Sequence, residues 1–576
     1  MRPLLRNLPA AATRRAITAA PAMARALVLA LGFIATVARP GSAQRVLGPS
    51  QDATTLRRGT LRTSITGENV LLRGRWNDGE SEALGAGLGG ALDMRRAPEL
   101  LGIASVFGGL GIADVNPSLG DAQFDLRQRL ALTHLGLEYG ISDRVMLRLR
   151  APFVRARAEG SLGLDGTSAT AGLNPTLFGS GVAGANRVVV DAYSNAANSL
   201  AARRDECSAN AAAHPECAGI LAEASQVNAA IARATQLATA LAGIYGADGL
   251  NAGMRYVPMA GSVYEGLLGG IATGLRNDYA RWGAPIGVSG NGLPLGAQAP
   301  IGADVLNGIY FSDPALAPIG FGAEPLRRST RQNLGDVDLG VTVNLYDDFP
   351  SDSARFTAAR FGLRHSLSLT YRLGGGHFDL PDNLVDLGTG SGHDAIALHA
   401  ITDVLVNDRL WTTVTLGWAK GAAHERDLRL PIRRGDDLIE PVRLTRVSIA
   451  PADMWELRIA PRYVLNDYIG LGGEWRLRAR GEDAVRAIDP AAMFVVPGVP
   501  INYGDGAMQT PSDANEQRWA WTVSYSTLDS KRRGVARLPL EIFYTHEQSI
   551  GSSRGIVPRR WEDRVQLRFY TRLFGR

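Results

Sequence analysis

The chain has 576 residues, 45% hydrophobic and 20% charged, with a net charge of +5 carried almost wholly by arginine, since Lys420 and Lys531 are the only lysines. No stretch offers the ~20 continuous apolar residues that a helical span requires, so a bundle of membrane helices is excluded. Basic residues are interleaved with acids along the whole chain instead of clustering, which speaks against a nucleic-acid partner.

The first element is an export signal of the Sec type. Arg2, Arg6, Arg14, Arg15 and Arg25 precede the apolar run 26–38, and Gly41-Ser42-Ala43 makes a small-residue cleavage site. Residues 1–43 are therefore expected to be removed, although 23–43 alone would make a compact signal peptide starting at Met23.

Residues 59–76 read as a first strand, either interrupted near Gly67 or hiding a hairpin whose partner lies in 77–124. A Gly-rich segment, 77–124, follows and contains a short helix candidate at 98–107. The stretch 130–154 then shows strict period-two alternation across two strands and a tight turn at Gly140-Ile141-Ser142-Asp143. Leu135, Leu137, Leu147 and Leu149 fall on one face, with His134, Glu138, Arg148 and Arg150 on the other. A strand between lipid and a wet lumen needs that pattern.

Residues 158–331 differ in character and read as one large insertion between strands. Helices are expected at 191–205 and 217–245, the second carrying an apolar stripe through Ile220, Ala224, Val227, Ile231, Ala234, Leu241 and Tyr245. The remainder to Pro325 is rich in Gly, Pro and Ala and is expected to be irregular. Cys207 and Cys217 flank a short polar loop, and a disulfide is the natural pairing in an oxidising compartment. Free thiols or a metal site are the alternatives, and no His/Cys cluster supports the metal.

Alternation resumes in paired strands at 337–345 with 361–373, 395–405 with 410–418, 455–463 with 469–480, and 518–525 with 535–546, and a last strand spans 561–573. Turns within pairs are short, whereas the connections at 77–124, 158–331, 374–393, 421–451, 481–515 and 550–560 are longer. Short turns on one rim and long loops on the other, with aromatic residues near strand ends, predict an all-β transmembrane antiparallel barrel of about twelve strands, or fourteen if the first strand hides a hairpin. The expected divisions are 44–157 for the first strands, 158–331 for the insertion and 332–576 for the rest. A soluble sandwich or propeller explains the alternation, but not the signal peptide, the loop asymmetry and the aromatic ends together.

The hairpin LEYGISDRVMLRLRAPFV resembles that of transporter-type outer-membrane barrels, among them the family named for the phenol-degradation meta-cleavage pathway. NLGDVDLGVTVNLYDD and SLTYRLGGGHFDLPDNLVDLGTGSGHD resemble the Gly-Asp strand opening and the Gly-rich loop of that family. The likeness covers 125–157 and 331–420 and implies a passive channel for small apolar or aromatic compounds. The large insertion departs from a compact member. Val565, Leu567, Phe569, Thr571 and Leu573 on the last strand form the face that a barrel-assembly machinery would recognise, although Gly575-Arg576 follow the aromatic Phe574. Lipid and lipopolysaccharide are the expected surroundings.

If the alternation holds, Arg148, Arg150, Arg364, Arg372, Arg458, Arg462, Arg476, Arg478, Arg480, Arg564, Arg568 and Arg572 point into the lumen. Their acidic company is Glu138, Asp336, Asp338, Glu456, Glu474 and Glu541. Two meanings are open: a cationic pore favouring anions, or a salt-bridged interior that fills a narrow barrel. His377, Asp379, Asp382, Asp386, His393 and Asp394 share one loop, without a spacing that suits Ca²⁺. His365 and Ser366 are sequence neighbours on opposite faces of a strand and make no nucleophile–base pair. His134, His399 and His546 have no identifiable catalytic partners, so no enzyme activity and no cofactor are expected.

Overall fold

The computed structural model describes residues 52–572, apart from 95, 178–179, 247–252, 311–327, 349–360, 381–382, 384–385, 408, 430–443, 467, 489–511 and 529–537. The expected export signal at 1–43 and residues 573–576 lie outside the described residues.

Twelve antiparallel strands form one closed wall. In chain order they are β1 (Thr60–Asn77), β2 (Asp121–Ser142), β3 (Val145–Asp165), β4 (Val337–Asp347), β5 (Gly362–Leu373), β6 (Ala395–Leu405), β7 (Leu410–Gly421), β8 (Met454–Val464), β9 (Ile469–Arg480), β10 (Ala514–Ser526), β11 (Leu540–Arg554) and β12 (Ile556–Arg572). Each pairs with its sequence neighbours, and β1 pairs with both β2 and β12, which closes the barrel and leaves no open edge. Gly67 stays in register, opposite Val565 on one side and Thr133 on the other. The partner that the end of β1 finds within 77–124 is the four-residue strand Glu80–Ala83, which adds no strand to the closed wall, so the fourteen-strand alternative falls.

One rim carries tight turns, such as that between Ser142 and Val145. The opposite rim carries the long connections, with one correction. The connection expected at 550–560 is a tight turn, because β11 continues to Arg554 and β12 starts at Ile556. Gly555 makes the reversal at φ 75°, and a Cβ there would lie 1.9 Å from the Asp513 carbonyl oxygen, so only glycine fits.

The outward face is apolar, with Leu135, Leu416, Trp455 and Phe569 exposed. β2 and β3 are 22 and 21 residues long, well beyond the ~9–11 that a tilted span needs. Their upper parts, through Phe124, Leu126 and Ala158, join the core of a helical cap. The cap also draws on the first long loop and contains α1 (Leu101–Gly109), α2 (Ser180–Ala209), α3 (Cys217–Ala222), α4 (Ala224–Tyr245), α5 (Val263–Arg281) and α6 (Ala303–Tyr310). Val227, Ala234, Leu241 and Tyr245 from the expected stripe are buried there against Tyr193, Leu268 and Tyr279. A disulfide with an S–S distance of 2.07 Å joins Cys207 near the end of α2 to Cys217 at the start of α3. The stretch expected to be irregular contains α5, started by Ser262, whose Oγ accepts from the Glu265 amide at 3.3 Å.

Candidate functional site: the barrel lumen

The alternation that turns leucine toward lipid turns the polar residues of every strand inward, where they meet a segment that has no periodicity. Residues 52–58, just before β1, form a strap across the short-turn end of the barrel. The Ala53 carbonyl accepts from Ser366 Oγ (2.5 Å) and Asn344 Nδ2 (3.3 Å), and its amide donates to Asp403 Oδ2 (3.1 Å). Arg364 Nη1 donates to Thr54 Oγ1 at 2.7 Å, and Arg462 pairs with Asp52 at 3.3 Å. These two arginines thus hold the strap in place and do not line free lumen.

Above the strap lies a cavity of about 740 Å³, reaching from Asp52 and Thr54 to Asp336, Thr389 and Gly390. Ion pairs bind its wall together. Glu456 pairs with Arg458 and, at 2.6 Å, with Arg478. Glu474 sits 2.6 Å from Arg476 and 3.5 Å from Arg458. Arg564 pairs with Glu562 and lies 3.5 Å from Glu68, and Arg568 lies 3.9 Å from Glu541. Glu138 is held by Arg62, and Asp338 by Arg372 at 2.8 Å. Glu456–Arg458, Glu474–Arg476 and Glu562–Arg564 lie within single strands, and the other pairs join different strands and cross-link the wall from inside.

The remaining expected residues play other parts. Asp336 precedes β4 and accepts from the amides of Gly376 (3.0 Å) and Ser391 (2.7 Å), so it pins the loop after β5. Arg480 pairs with Asp483 beyond the wall, and Arg572 sits opposite Thr60 at the last described strand position; neither lines the cavity. Arg148 and Arg150 line it without a carboxylate partner among the described residues: Arg148 Nη2 donates to Thr370 Oγ1 at 2.7 Å, and Arg150 Nε to His134 Nδ1 at 3.3 Å.

Several wall residues escaped the sequence reading. Arg62 and Glu68 share the inward parity of β1, as do Glu516 and Arg518 on β10, so alternation alone would have found them. Asp52 offered no such signal, because the strap has no alternation and contributes through backbone groups, the Thr54 hydroxyl and the Asp52 carboxylate.

The Gly-rich loop after β5 is a hydrogen-bonded structure. Asp386 pairs with Arg331 at 3.1 Å, Asp394 accepts from Tyr371 Oη at 2.5 Å, and His377 meets Asn333 at 2.7 Å; Asp382 lies outside the described residues. Among the described residues no cluster of His, Cys, Asp and Glu is arranged to hold a metal ion. His365 bonds Thr402 at 2.9 Å while Ser366 bonds the strap, so the two neighbours serve opposite faces.

No family model matches the chain, and no curated protein matches it. Among solved structures it is similar to an outer-membrane channel of Pseudomonas putida F1, with 8% identity over 92% of this chain and 100% of that one and a TM-score of 0.38. The translocator domain of an autotransporter from Neisseria meningitidis follows at 6% identity over 96% and 97%, with a TM-score of 0.24. The toluene transporter of Pseudomonas putida gives 9% identity over 89% of each chain and a TM-score of 0.22. At these scores the likeness adds nothing to what the strand pairing already establishes.

Proposed function

We propose that the protein is an outer-membrane channel for the passive entry of small solutes with apolar or aromatic bodies. The observation supporting this is the cavity of about 740 Å³ inside a closed barrel with an apolar outer band. The wall is braced by its own ion pairs, so most of its charge is committed to structure. Leu132, Met146, Pro152 and Val154 give part of the lining an apolar surface. The strap at the short-turn end is the barrier a solute must pass. Lipid and lipopolysaccharide cover the outer band, and the assembly machinery recognises the last strand.

The test uses the full-length protein, shown to be folded by heat-modifiable migration. We expect small aromatic solutes to enter proteoliposomes faster than protein-free vesicles, with discrete conductance steps in a planar bilayer. A folded protein that gives neither would overturn the reading. A second reading, a closed scaffold that acts through its cap, is favoured by one observation: among the described residues, none from 155 to 335 lines the cavity.

A further inference from the structure

We propose that Arg148 and Arg150 form a recognition site for a small organic carboxylate with an apolar body, an inference that rests on the channel reading above. Among the described residues, every other arginine lining the cavity has a carboxylate within 4.0 Å: Arg62, Arg372, Arg458, Arg476, Arg478, Arg518, Arg560, Arg564 and Arg568 are all in ion pairs. Arg148 and Arg150 have none, although acids stand beside them. The strand register sets Glu138 opposite Arg148 and Asp338 opposite Arg150. Those carboxylates are taken by Arg62 and Arg372. The two guanidinium groups are left over by the pairing, not remote from it.

Their surroundings hold them for use. His134 Nε2 faces Glu68 Oε2 at 3.3 Å, and its Nδ1 faces Arg150 Nε at 3.3 Å. An Nε2–H donated to the carboxylate leaves the Nδ1 lone pair to accept from Arg150, a tautomer assigned from these partners. Arg150 is thereby held by its Nε, and both of its Nη groups remain without a partner among the described residues. Arg148 is held by Thr370, and room for it comes from Gly340, where a Cβ would lie 3.2 Å from both Nε and Nη2.

Two residues apart on one strand, the side chains project into the same volume ~7 Å apart along it. Met146 flanks them on one side, and Pro152 and Val154 on the other, all three lining the cavity. A guanidinium fork matches a carboxylate in two parallel hydrogen bonds. Apolar flanks suit a ligand with one charged end and a hydrocarbon remainder better than a fully hydrated inorganic anion.

Calorimetric titration of the full-length protein in detergent tests this with three probes: benzoate, its uncharged counterpart benzyl alcohol, and inorganic phosphate. Benzoate is expected to bind, and benzyl alcohol and phosphate at least about tenfold more weakly. Arg148→Gln and Arg150→Gln should each weaken benzoate about tenfold, while Arg480→Gln, outside the cavity, leaves it unchanged. If a glutamine variant fails to fold, Arg150→Lys keeps the charge without the fork and should still weaken benzoate. Equal binding of benzoate and benzyl alcohol, equal binding of phosphate, or full affinity in the folded Arg→Gln variants would each overturn the proposal. Solute flux without benzoate binding would sink this site and spare the channel; benzoate binding without any flux would do the reverse.

Discussion

The barrel and the cap bury opposite kinds of residue. In the cap, Leu237, Leu241, Ile244 and Leu268 are sealed inside while charged residues such as Arg187 and Asp191 face water, with Arg255, paired to Glu99, a buried exception. In the barrel wall, Glu541 and Glu562 are 0% and 1% exposed, whereas Leu135 is 57% exposed. A single rule, burial of leucine and exposure of glutamate, thus holds for one region and inverts in the other. The inversion follows from the medium on each side: the outward face of the barrel meets hydrocarbon, and its interior must satisfy charge internally. The comparison teaches that the wall depends on ion pairs for what the cap obtains from packing.

The largest expected effect tests that claim. Glu562 accepts from Arg560 Nε at 2.9 Å and pairs with Arg564, so Glu562→Gln leaves two inward guanidinium groups to share the single carboxylate of Glu68, at 3.0 and 3.5 Å. Removing one partner of such a buried set should destabilise the barrel by about 3–5 kcal/mol, read by urea unfolding of the refolded protein. A near-neutral result would mean that lumen water, not pairing, carries these charges. In the cap, Leu241→Ala should cost about 2–5 kcal/mol, seen as faster proteolysis of cap fragments while heat-modifiable migration of the barrel is kept. Loss of both together would show that the two regions fold as one unit.

The wall was legible in the sequence because a strand between two media must alternate, and alternation survives in one dimension. Arg148, Glu138 and Arg476 could be turned inward on parity alone. Which of them pair is a matter of register between strands far apart in the chain, and parity does not contain it. The two arginines without a carboxylate therefore looked like all the others. The strap at 52–58 was invisible because it has no alternation and many of its contacts run through its backbone, as at Ala53. Helix α5 was missed for a different reason. Its glycines lower helix propensity, yet Ser262 and Glu265 spell a capping pattern, and Tyr264, Leu268, Ala272, Leu275 and Tyr279 form its buried stripe. The packing of the cap outweighs the composition of the segment.

Two substitutions of equal chemistry separate the regions directly. Leu135, on the lipid face of β2, is 57% exposed, and Val188, on α2 of the cap, is 68% exposed. Leu135→Arg should cost about 2–4 kcal/mol if it lies near the bilayer centre, measured by unfolding from lipid vesicles. Val188→Arg should change stability by less than about 0.5 kcal/mol. Equal effects would mean that the face bearing Leu135 does not meet lipid.

The most local effect belongs to the disulfide. Cys207 and Cys217 are separated by 10 positions in sequence, so their bond closes a short loop and removes little entropy from the unfolded chain. Cys207→Ala with Cys217→Ala should cost about 2–3 kcal/mol, and only in the cap. Limited proteolysis under reducing conditions gives the same comparison without mutation: cleavage near 210–216 should rise, while the barrel keeps its folded migration. A barrel that loses its folded form on reduction would show that the cap braces the wall through the tall strands β2 and β3, whose upper parts carry its core. If cleavage is unchanged, Ile220 and Leu200 hold α2 against α3 without covalent help, and the bond acts mainly while the cap is folding.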